Sequence, residues 1–537
     1  MSEDALRTFL VGCGTTTQQQ AQTPFSSAQE MGFKAYNLLR MAKMGLPVPP
    51  AFVLGTGFCR DTQTQAQAVQ PTTWWEPLRA LESACGLTLG DARRPLLLSV
   101  RSGAPVSMPG MMETLLNIGL CDHTLPGMLR VTGNPRLVWD AYRRLVATYG
   151  EVVRGLPGEL FEREVQLACG KYSERELDFS EMRALTHRLL SVFQQASGQP
   201  FPQDPQDQLK EAIAAVLASW QSDKALEYRR LNHLPDDLGT AVTVQTMVFG
   251  NGSGRSGAGV GFTRDPATGE PNLWIDFLFN AQGEDVVSGR RSAHGHDELA
   301  SVLPSVWSDL REAANALEHH LGDMQDFEFT VQDGRLYMLQ TRQGKRTPLA
   351  AARIALDMLD EGLIDVQTAQ QRIAHLDAAA LARRKVVSAG GLALKPLAHA
   401  ATACTGVVCG EIALDGQRAK DRHAAGASVI LVRRDAETGD LPALEASVGL
   451  LTQRGARTSH AAVVARQLGK VCLVGCDKLV IDDTRRTIQL DDQTLHEGDL
   501  ITLDGNEGDI YVGAIQTAVE EPQELLMRLA ALHDRQA

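Results

Sequence analysis

Residues 454–469 read RGARTSHAAVVARQLG and decide the fold of the C-terminal part of the chain. Thr458 and Ser459 are suited to cap a helix, and the alanine-rich run after them is strongly helix-forming. The apolar run VGLLTQ at 448–453 precedes this segment and is typical of a β-strand. The pattern therefore predicts a strand, a loop and then a helix, with His460 in the first turn of that helix.

A histidine in this position is suited to carry a phosphoryl group. The first turn of a helix presents backbone N–H groups without helical partners and the positive end of the helix dipole, and both favour a bound anion. Imidazole also accepts phosphate readily and then releases it. A lone histidine is more commonly hydrogen-bonded within a loop, so position alone leaves both interpretations of His460 open.

The rest of the sequence alternates between α/β and helical character. Strand-like runs dominate 240–342, where AVTVQTMVFG, GAGVGFTR, LWIDFLF, FEFTVQ and RLYMLQTR follow one another. Residues 117–201 instead carry apolar residues every three or four positions and are predicted to be helical. Short apolar runs separated by glycine turns return between 389 and 515. We therefore predict an α/β protein of several domains with a helical insertion.

The amino-acid composition limits the classes of protein to which the chain can belong. The 537 residues are 44% hydrophobic and 22% charged, as in ordinary globular proteins, and about two to four domains are expected at this length. The net charge of −13 argues against nucleic-acid binding by electrostatics. The nine cysteines lack the paired spacing of a zinc site and suit a reducing compartment. Without a signal peptide or a bilayer-length apolar run, the sequence predicts a cytoplasmic protein with neither membrane nor nucleic-acid partners.

The stretch GNGSGRSGAG at 250–259 is a candidate phosphate-binding loop. It contains a GxGxxG match at Gly252, Gly254 and Gly257, but strand-like runs flank it on both sides, whereas a dinucleotide fold needs a helix after the glycines. No Walker motif occurs. A glycine-rich loop between strands can lie over phosphates, because backbone N–H groups approach them without a Cβ in the way. A simple hairpin is an equally good interpretation.

Two cations upstream are suited to bind phosphate oxygens. Arg101 comes directly after the apolar strand-like run PLLLSV, and its guanidinium offers a fork of donors to phosphate. Lys34 stands at the predicted start of a helix in MGFKAYNLLRMAK. Both residues are therefore candidates for nucleotide binding.

The segment DFEFTVQDGRLYMLQTR at 326–342 is predicted to form two successive strands. Asp326 and Glu328 share one face of the first strand, and Gln340 and Arg342 share one face of the second, because residues two apart project together. Carboxylates gathered in this way would hold Mg²⁺ that bridges ATP oxygens. A surface hairpin with charged outward positions is the alternative, and spacing alone favours that alternative.

The length of the connecting loop decides whether the two pairs share a face. A two-residue Asp333-Gly334 loop would send Gln340 to the face opposite Glu328. A three-residue loop that begins at Gln332 would instead pair Asp326 with Gln340. We predict the three-residue loop, because only that loop gathers carboxylates, amide and guanidinium at one metal–phosphate site.

The run TSHAAVVAR at 458–466 resembles the phosphohistidine signature of the pyruvate phosphate dikinase and phosphoenolpyruvate synthase family. In that family the histidine is phosphorylated from ATP, and the resemblance implies this role for His460. The family usually has Gly-Gly-Met before the signature, whereas this chain has Gly455-Ala456-Arg457. Arg457 adds a cation beside the phosphorylation site, and two effects are open: it stabilises the phosphorylated state, or it alters the acceptor.

A second resemblance covers about 31–350. SVRSGAPVSMPGMM, FPQDPQDQL, GTAVTVQTMVFGN, GFTRDPATGE, NAQGEDVVSG and MQDFEFTVQDGRLYMLQTRQGKRT resemble the nucleotide-binding domain of the same family, which has an ATP-grasp fold. The family's Gly-Gly-Lys-Gly appears here as Gly32-Phe33-Lys34-Ala35. The resemblance implies binding of the ATP phosphates by Lys34, Arg101 and Arg342, of the nucleotide's metal by Asp326, Glu328 and Gln340, and of the adenosine side by Glu284.

The resemblance also implies a domain order. The expected segments are a loosely ordered lead-in at 1–30, an ATP-grasp domain at 31–350 with the helical insertion at about 117–201, a helical connector at 351–388, a swivelling α/β phosphohistidine domain at 389–515 and a C-terminal helix at 516–537. The family's barrel, which binds phosphoenolpyruvate and pyruvate, would begin soon after 515, whereas the sequence ends at Ala537. A separate polypeptide is therefore expected to carry that barrel.

The function implied is autophosphorylation of His460 from ATP with Mg²⁺, with His460, Arg101 and Arg342 as catalytic residues and release of AMP. QTRQGKRT and FPQDP resemble the dikinase more than the synthase, which favours orthophosphate over water as the second acceptor. Pyruvate on the separate polypeptide would then receive the phosphoryl group. One alternative is a histidine phosphocarrier or kinase for another small molecule or protein. Rifampicin phosphotransferase resembles this combination, but 351–388 is too short for its substrate domain. Another alternative is a non-catalytic, nucleotide-responsive binding protein.

Overall fold

The chain folds as two compact units of mixed α/β structure. The first unit comprises Met1–Ser253 with Tyr337–Gln340, and the second comprises Gly254–Leu336 with Thr341–Ala537. The division falls inside 31–350, the range predicted as one domain. A computed structural model of the protein describes residues 6–14, 26–106, 108, 112–170, 174, 176–287, 296–387, 394–435, 440–455, 457 and 460–534.

An antiparallel five-stranded sheet lies at the centre of the first unit, in the order β1-β2-β5-β3-β4. Every residue of β2 is buried, so both faces of this strand are covered. The strands are β1 (Thr8–Val11), β2 (Ala51–Leu54), β3 (Leu98–Gly103), β4 (Thr114–Ile118) and β5 (Ala241–Thr246).

Helices supply most of the remaining core of the first unit. The helices predicted within 117–201 are confirmed as α5 to α8, and their apolar faces pack into the same core as the sheet. The α-helices are α1 (Ala28–Met31), α2 (Phe33–Lys43), α3 (Thr62–Ala68), α4 (Pro71–Cys85), α5 (Leu125–Thr132), α6 (Pro135–Val152), α7 (Glu159–Cys169), α8 (Phe179–Ser197), α9 (Pro205–Ala218) and α10 (Asp223–Leu231). Short 3₁₀ helices are found at Thr56–Cys59, Ser219–Gln221 and Asp236–Leu238.

Two expectations for the first unit were wrong. The 1–30 segment is not loosely ordered throughout, because β1 pairs antiparallel with β2 and buries Phe9 and Val11. Arg101 does not follow a strand but lies inside β3, opposite Thr243 of β5. In both cases the neighbouring strand supplies backbone partners that a single segment of sequence does not reveal.

The second unit contains a four-stranded antiparallel sheet in the order β7-β6-β8-β9. One face of this sheet stacks aromatic rings directly over glycine. A Cβ on Gly259 would stand 2.4 Å from the Phe329 ring, and one on Gly257 would stand 2.2 Å from the Phe277 ring. Only glycine therefore fits beneath these rings. The strands are β6 (Gly257–Phe262), β7 (Trp274–Phe279), β8 (Gln325–Gln332) and β9 (Arg335–Gln343).

We expect Gly259→Ala to destabilise the second unit by about 1–3 kcal/mol, because the new methyl group must displace the Phe329 ring from a well-packed face. Gly254→Ala is the matched control, since a Cβ there meets nothing within 4 Å. Denaturant unfolding of the two variants measures the difference. Equal midpoints for both variants would contradict the close ring contact.

An eight-stranded mixed sheet forms the C-terminal part of the second unit, in the order β11-β21-β20-β13-β14-β15-β16-β12. Its central strands β13 to β16 run parallel. The short apolar runs between 389 and 515 form strands of this sheet, and the strand predicted at VGLLTQ is confirmed as β15. The strands are β11 (Ala398–His399), β12 (Ala401–Cys404), β13 (Val407–Ala413), β14 (Val429–Arg433), β15 (Gly449–Thr452), β16 (Val471–Val474), β20 (Leu500–Asp504) and β21 (Asp509–Val512).

Two smaller sheets and ten helices complete the described part of the second unit. A three-stranded sheet contains β17 (Leu479–Asp482), β18 (Thr487–Leu490) and β19 (Gln493–His496), and β10 (Arg383–Val386) pairs with β22 (Thr517–Glu520). The helices are α11 (Gly283–Val287), α12 (His296–Val302), α13 (Pro304–Leu321), α14 (Pro348–Asp360), α15 (Val366–Ile373), α16 (Ala378–Leu381), α17 (Gly416–Ala424), α18 (Leu441–Glu445), α19 (His460–Gln467) and α20 (Gln523–Asp534). Among the described helices, none is both long and apolar enough to cross a membrane.

Candidate active site

One face of the four-stranded sheet carries most of the acidic site residues. Asp326 and Glu328 lie two apart on β8 and pair with Phe262 and Val260 of β6. The same two residues of β6 pair on their other side with β7. We call this surface the acidic face; it consists of Trp274, Asp276, Val260, Phe262, Asp326 and Glu328.

Arg342 joins the acidic face through an ion pair. Its Nε donates to Oδ2 of Asp326 over 2.7 Å, and Glu328 is close enough for its charge to raise the pKa of Arg342 against the opposing effect of burial. Asp326, Glu328 and Arg342, three of the four residues predicted to form one group, therefore lie close together.

The turn between β8 and β9 differs from the predicted three-residue loop. β8 ends at Gln332 and β9 begins at Arg335, so the turn has two residues, Asp333 and Gly334, and not three. Both turn residues have positive φ, 51° and 76°, the combination that matches the right-handed twist of paired strands. The three-residue prediction was wrong because it ignored this preference of Asp-Gly.

An unbroken ladder from that turn would place Thr341, not Arg342, on the same face as Asp326. The Asp326–Arg342 ion pair therefore requires a one-residue change of register in the hairpin. The alternation of burial along β9 breaks at the same place, where Gln340 and Thr341 are both buried. Gln340 itself belongs to the Tyr337–Gln340 segment of the first unit.

The surroundings of Asp326 disfavour the charged form of its carboxyl group. Burial raises the pKa of its carboxyl, Glu328 raises it further, and Arg342 and Arg466 offset only part of this increase. A cation beside the two carboxylates would relieve their repulsion, and carboxylate oxygens are the donors that Mg²⁺ prefers. Within the described ranges, no three His, Cys, Asp or Glu side chains gather closely enough to hold a metal ion by themselves.

His460 is the first residue of α19, as the sequence predicted. The helix follows β15, a parallel strand in the middle of the eight-stranded sheet, and so begins at the carboxyl end of that strand. This edge is where α/β sheets commonly bind ligands, and a helix start presents N–H groups that have no partner within the helix. The side chain of His460, with Thr458 and Ser459, lies outside the described residues.

Arg466, which the sequence analysis did not single out, connects α19 to the acidic face. Its guanidinium carbon lies 5.4 Å from the centre of the Phe262 ring and 5.8 Å from that of Trp274. Burial lowers the pKa of Arg466, and the charge of Asp326 partly opposes this effect. Arg466 is the last residue of the TSHAAVVAR motif, so the sequence contained a signal for it. Only the packing shows that it contacts the acidic face.

In the first unit, Lys34 stands beside the end of β3. Gly32 precedes α2 with φ of 74°, and a Cβ there would lie 1.9 Å from the carbonyl oxygen of Gly103. Only glycine permits this close approach, which positions Lys34 next to Gly103, two residues along the strand from Arg101. The prediction that Lys34 begins a helix is confirmed by α2.

Arg101 and Thr243 pair across β3 and β5, and each carries a buried polar atom that lacks a hydrogen-bond partner among the described residues. These atoms are Nε of Arg101 and Oγ1 of Thr243. An orphaned buried donor costs about 1–3 kcal/mol, so the pair is suited to bind a polar ligand. Sequence reasoning missed Thr243, since only the strand register places it opposite Arg101.

The other candidates lie in the segment between β5 and β6 and in α11. The stretch 250–259 joins β5 to β6, which belong to different sheets, so it is neither a hairpin nor a dinucleotide-binding turn. The carbonyl of Gly252 accepts from Asn134 Nδ2 over 3.0 Å, whereas Gly254 has open space around its Cα. Glu284 lies in α11, and its side chain is outside the described part of the chain.

Two protein-family models match the chain. The model of the pyruvate phosphate dikinase AMP/ATP-binding domain matches residues 66–302 and 295–363. The chain belongs to the pyruvate phosphate dikinase family. A second model, the mobile domain of PEP-utilising enzymes, matches residues 426–508, which include His460 and the parallel strands β14 to β16. The resemblance stated from the motifs is thus confirmed for both halves of this pyruvate phosphate dikinase relative.

Similar proteins include pyruvate, phosphate dikinase 1 of Oryza sativa subsp. japonica, which is 42% identical over 491 residues. Pyruvate, phosphate dikinase of Clostridium symbiosum is 41% identical over 503 residues. These matches cover 90% and 91% of this chain but 52% and 56% of the relatives, so the chain spans about half the length of the curated relatives it matches.

Proposed function

We propose that the protein transfers phosphate from ATP to its own His460, in the manner of the first half of a pyruvate phosphate dikinase reaction. The observation that carries this proposal is the position of α19 in the second unit. His460 begins the helix, and Arg466 of the same helix lies on the face that carries Asp326 and Glu328. The proposed phosphate acceptor and the proposed metal-binding face are therefore joined within the second unit.

We propose that 31–350 is an ATP-grasp domain and 389–515 a phosphohistidine domain, with 351–388 as a connector that lets the second swivel. In this assignment Lys34, Arg101 and Arg342 are each proposed to bind ATP phosphates. The buried Nε of Arg101 supports its role. Further proposed contacts are the backbone of Gly252 and Gly254 with phosphates, Gln340 with the nucleotide's metal, and Glu284 with the adenosine.

In the proposed reaction an imidazole nitrogen of His460 attacks the β-phosphorus of ATP. The new N–P bond forms as the bond from that phosphorus to the AMP oxygen breaks, and AMP leaves. The γ-phosphoryl group then passes to orthophosphate, or to water, and phosphohistidine remains. The cations Lys34, Arg101 and Arg342 would neutralise the phosphate oxygens in this reaction.

Asp326 and Glu328 are the residues that would hold Mg²⁺, and the raised pKa of Asp326 fits a site built for a cation. When bound, the metal would neutralise phosphate charge and fix the geometry of the phosphate chain. Arg342 would keep Asp326 oriented and charged through their 2.7 Å contact.

We propose that the phosphoryl group then passes from phosphohistidine to pyruvate. Incubation with ATP labelled in the β-phosphate tests the first half by itself. Acid-labile, base-stable label on the protein together with AMP is the expected result. ATP binding without label would instead favour a non-catalytic binding protein, and discharge of label by some other molecule would favour a different acceptor.

We expect Arg101→Gln to weaken ATP binding about tenfold or more, because a charge-assisted bond contributes about 1.5–3 kcal/mol. Without ATP its unfolding midpoint should not fall, since Nε has no partner to lose among the described residues. Isothermal titration and thermal unfolding measure the two quantities. Exposed Arg93→Gln is the control for charge alone. A large stability loss in Arg101→Gln would show a structural role instead.

Thr243→Val extends this test to the partner of Arg101. The substitution keeps the shape of the side chain and removes a buried hydroxyl that has no hydrogen bond in the described structure, so stability without ATP should hold or rise. Weaker ATP binding by the same variant would place the hydroxyl at the nucleotide.

A further inference from the structure

Arg457 lies against the acidic face, three residues before His460. Its Nε is 3.6 Å from Oδ1 of Asp276, and its guanidinium carbon is 4.1 Å from the centre of the Trp274 ring. The Asp276 side chain is 3% exposed and that of Arg457 is 27% exposed. The ion pair is therefore largely shielded from water, where charge and cation–π attraction are stronger than at an open surface.

The two residues that Arg457 contacts share the face of the proposed metal site. Trp274 pairs with Phe262, which pairs with Asp326, and Asp276 pairs with Val260, which pairs with Glu328. Each contact of Arg457 thus lies two strands across the sheet from one of the two carboxylates. A residue fixed at Trp274 and Asp276 has a defined position relative to Asp326 and Glu328.

Arg466 also holds the backbone of Arg457 in place. Its Nη2 donates to the carbonyl of Arg457 over 3.2 Å, and its Nε and Nη2 donate to the carbonyl of Ala403 on β12 over 3.1 and 2.8 Å. Its ring contacts with Phe262 and Trp274 place it beside Arg457 on the sheet. Arg457 is therefore held through Arg466 to β12 of the eight-stranded sheet, and through its own side chain to the acidic face.

Resting on the function proposed above, we infer that Arg457 is a positioning residue that holds the His460 loop on the acidic face. Asp276 supplies the countercharge and Trp274 the ring face for the guanidinium. The contacts set where the imidazole stands when it meets the nucleotide, and a displacement of about 1 Å in such a geometry can cost a hundredfold in rate.

The test is Arg457→Met, which keeps the length of the side chain and removes its charge. Single-turnover labelling of His460 from β-labelled ATP should slow by about tenfold or more, whereas the ATP concentration for half-saturation stays unchanged. Arg457→Lys should recover part of the rate, since it restores the cation without the planar stacking group.

Arg454→Met is the matched control. Arg454 is an exposed arginine of the same loop, and among the described residues its side chain forms an ion pair with Asp435 at the long distance of 3.9 Å. It should label at the wild-type rate. Asp276→Asn should slow labelling as Arg457→Met does, and the double variant should be no slower than either single one, because both remove one interaction.

Hydrogen exchange of 257–279 and 460–467 provides a readout that needs no activity. Arg457→Met should raise exchange in both segments, and Arg454→Met should not. If the wild type takes no label, the proposed function fails, and the exchange result alone decides the role of Arg457. Labelling of Arg457→Met within about twofold of wild type with unchanged exchange would overturn the inference, as would additive effects in the double variant.

Discussion

We expect His460→Asn to take no acid-labile label from β-labelled ATP, a loss of at least about a thousandfold, because the nucleophile is gone. Asparagine keeps a polar side chain of similar size at the start of α19, so the helix should remain. AMP release coupled to transfer should disappear with the label. ATP binding should persist, since the proposed phosphate contacts lie on other elements.

His423→Asn is the control for this result. His423 lies in the last turn of α17, in the same part of the chain, where the negative end of the helix dipole disfavours a phosphoryl group. It is exposed to solvent and should label as the wild type does. Equal label on His460→Asn and wild type would show that another residue is the acceptor and would remove the basis of the proposed function.

The second large effect is expected from Arg342→Leu. Removing the guanidinium leaves the Asp326 carboxylate buried beside Glu328 without its nearest countercharge. The folded protein should lose about 2 kcal/mol of stability near neutral pH. Labelling of His460 should fall by about a hundredfold or more, since Arg342 is also a proposed phosphate ligand.

The stability loss should depend on pH in a direction that the Asp326 environment sets. The pKa of Asp326 is already raised above 3.8 by burial, and loss of Arg342 raises it further. A carboxylate with a raised folded-state pKa destabilises the fold above that pKa, and the penalty disappears as pH falls towards 3.8 and the group protonates. Denaturant unfolding of Arg342→Leu and wild type should therefore converge on acidification.

Asp326→Asn provides the matched comparison. A neutral amide needs no countercharge, so Asp326→Asn with Arg342→Leu should be more stable than Arg342→Leu alone, while remaining inactive. The Mg²⁺ requirement of nucleotide binding should also rise in Asp326→Asn. A stability loss of Arg342→Leu that is the same at every pH, or that persists in the double variant, would contradict the assignment of the buried pair.

Local sequence signals predicted much of the fold. The strands β5 to β9 and the helices α5 to α8 follow from hydrophobic periodicity, which reports the buried side of an element directly. The start of α19 at His460 follows from capping residues and alanine content. These features depend on residues within a few positions of each other, which a single sequence contains in full.

The length of the Asp333-Gly334 turn was misjudged from local sequence, whereas the other errors came from pairings between distant segments. β1 was missed because its stability comes from β2, about forty residues away. Arg101 was placed at the end of β3 because the sequence does not show that β5 extends the pairing to Gly103. A hairpin was considered for 250–259 because nothing in the local sequence shows that its two flanking strands belong to different sheets.

The His460 segment shows which features follow from the local sequence and which follow from tertiary contacts. The sequence alone determined a helix that begins at the histidine, its placement after a strand, and the family to which the chain belongs. Only the tertiary structure decided that Arg466 and Arg457 lie on Trp274, and that Asp276 meets Arg457. The physical reason is that periodicity and capping are properties of one segment, whereas ion pairs and ring contacts join residues nearly two hundred positions apart.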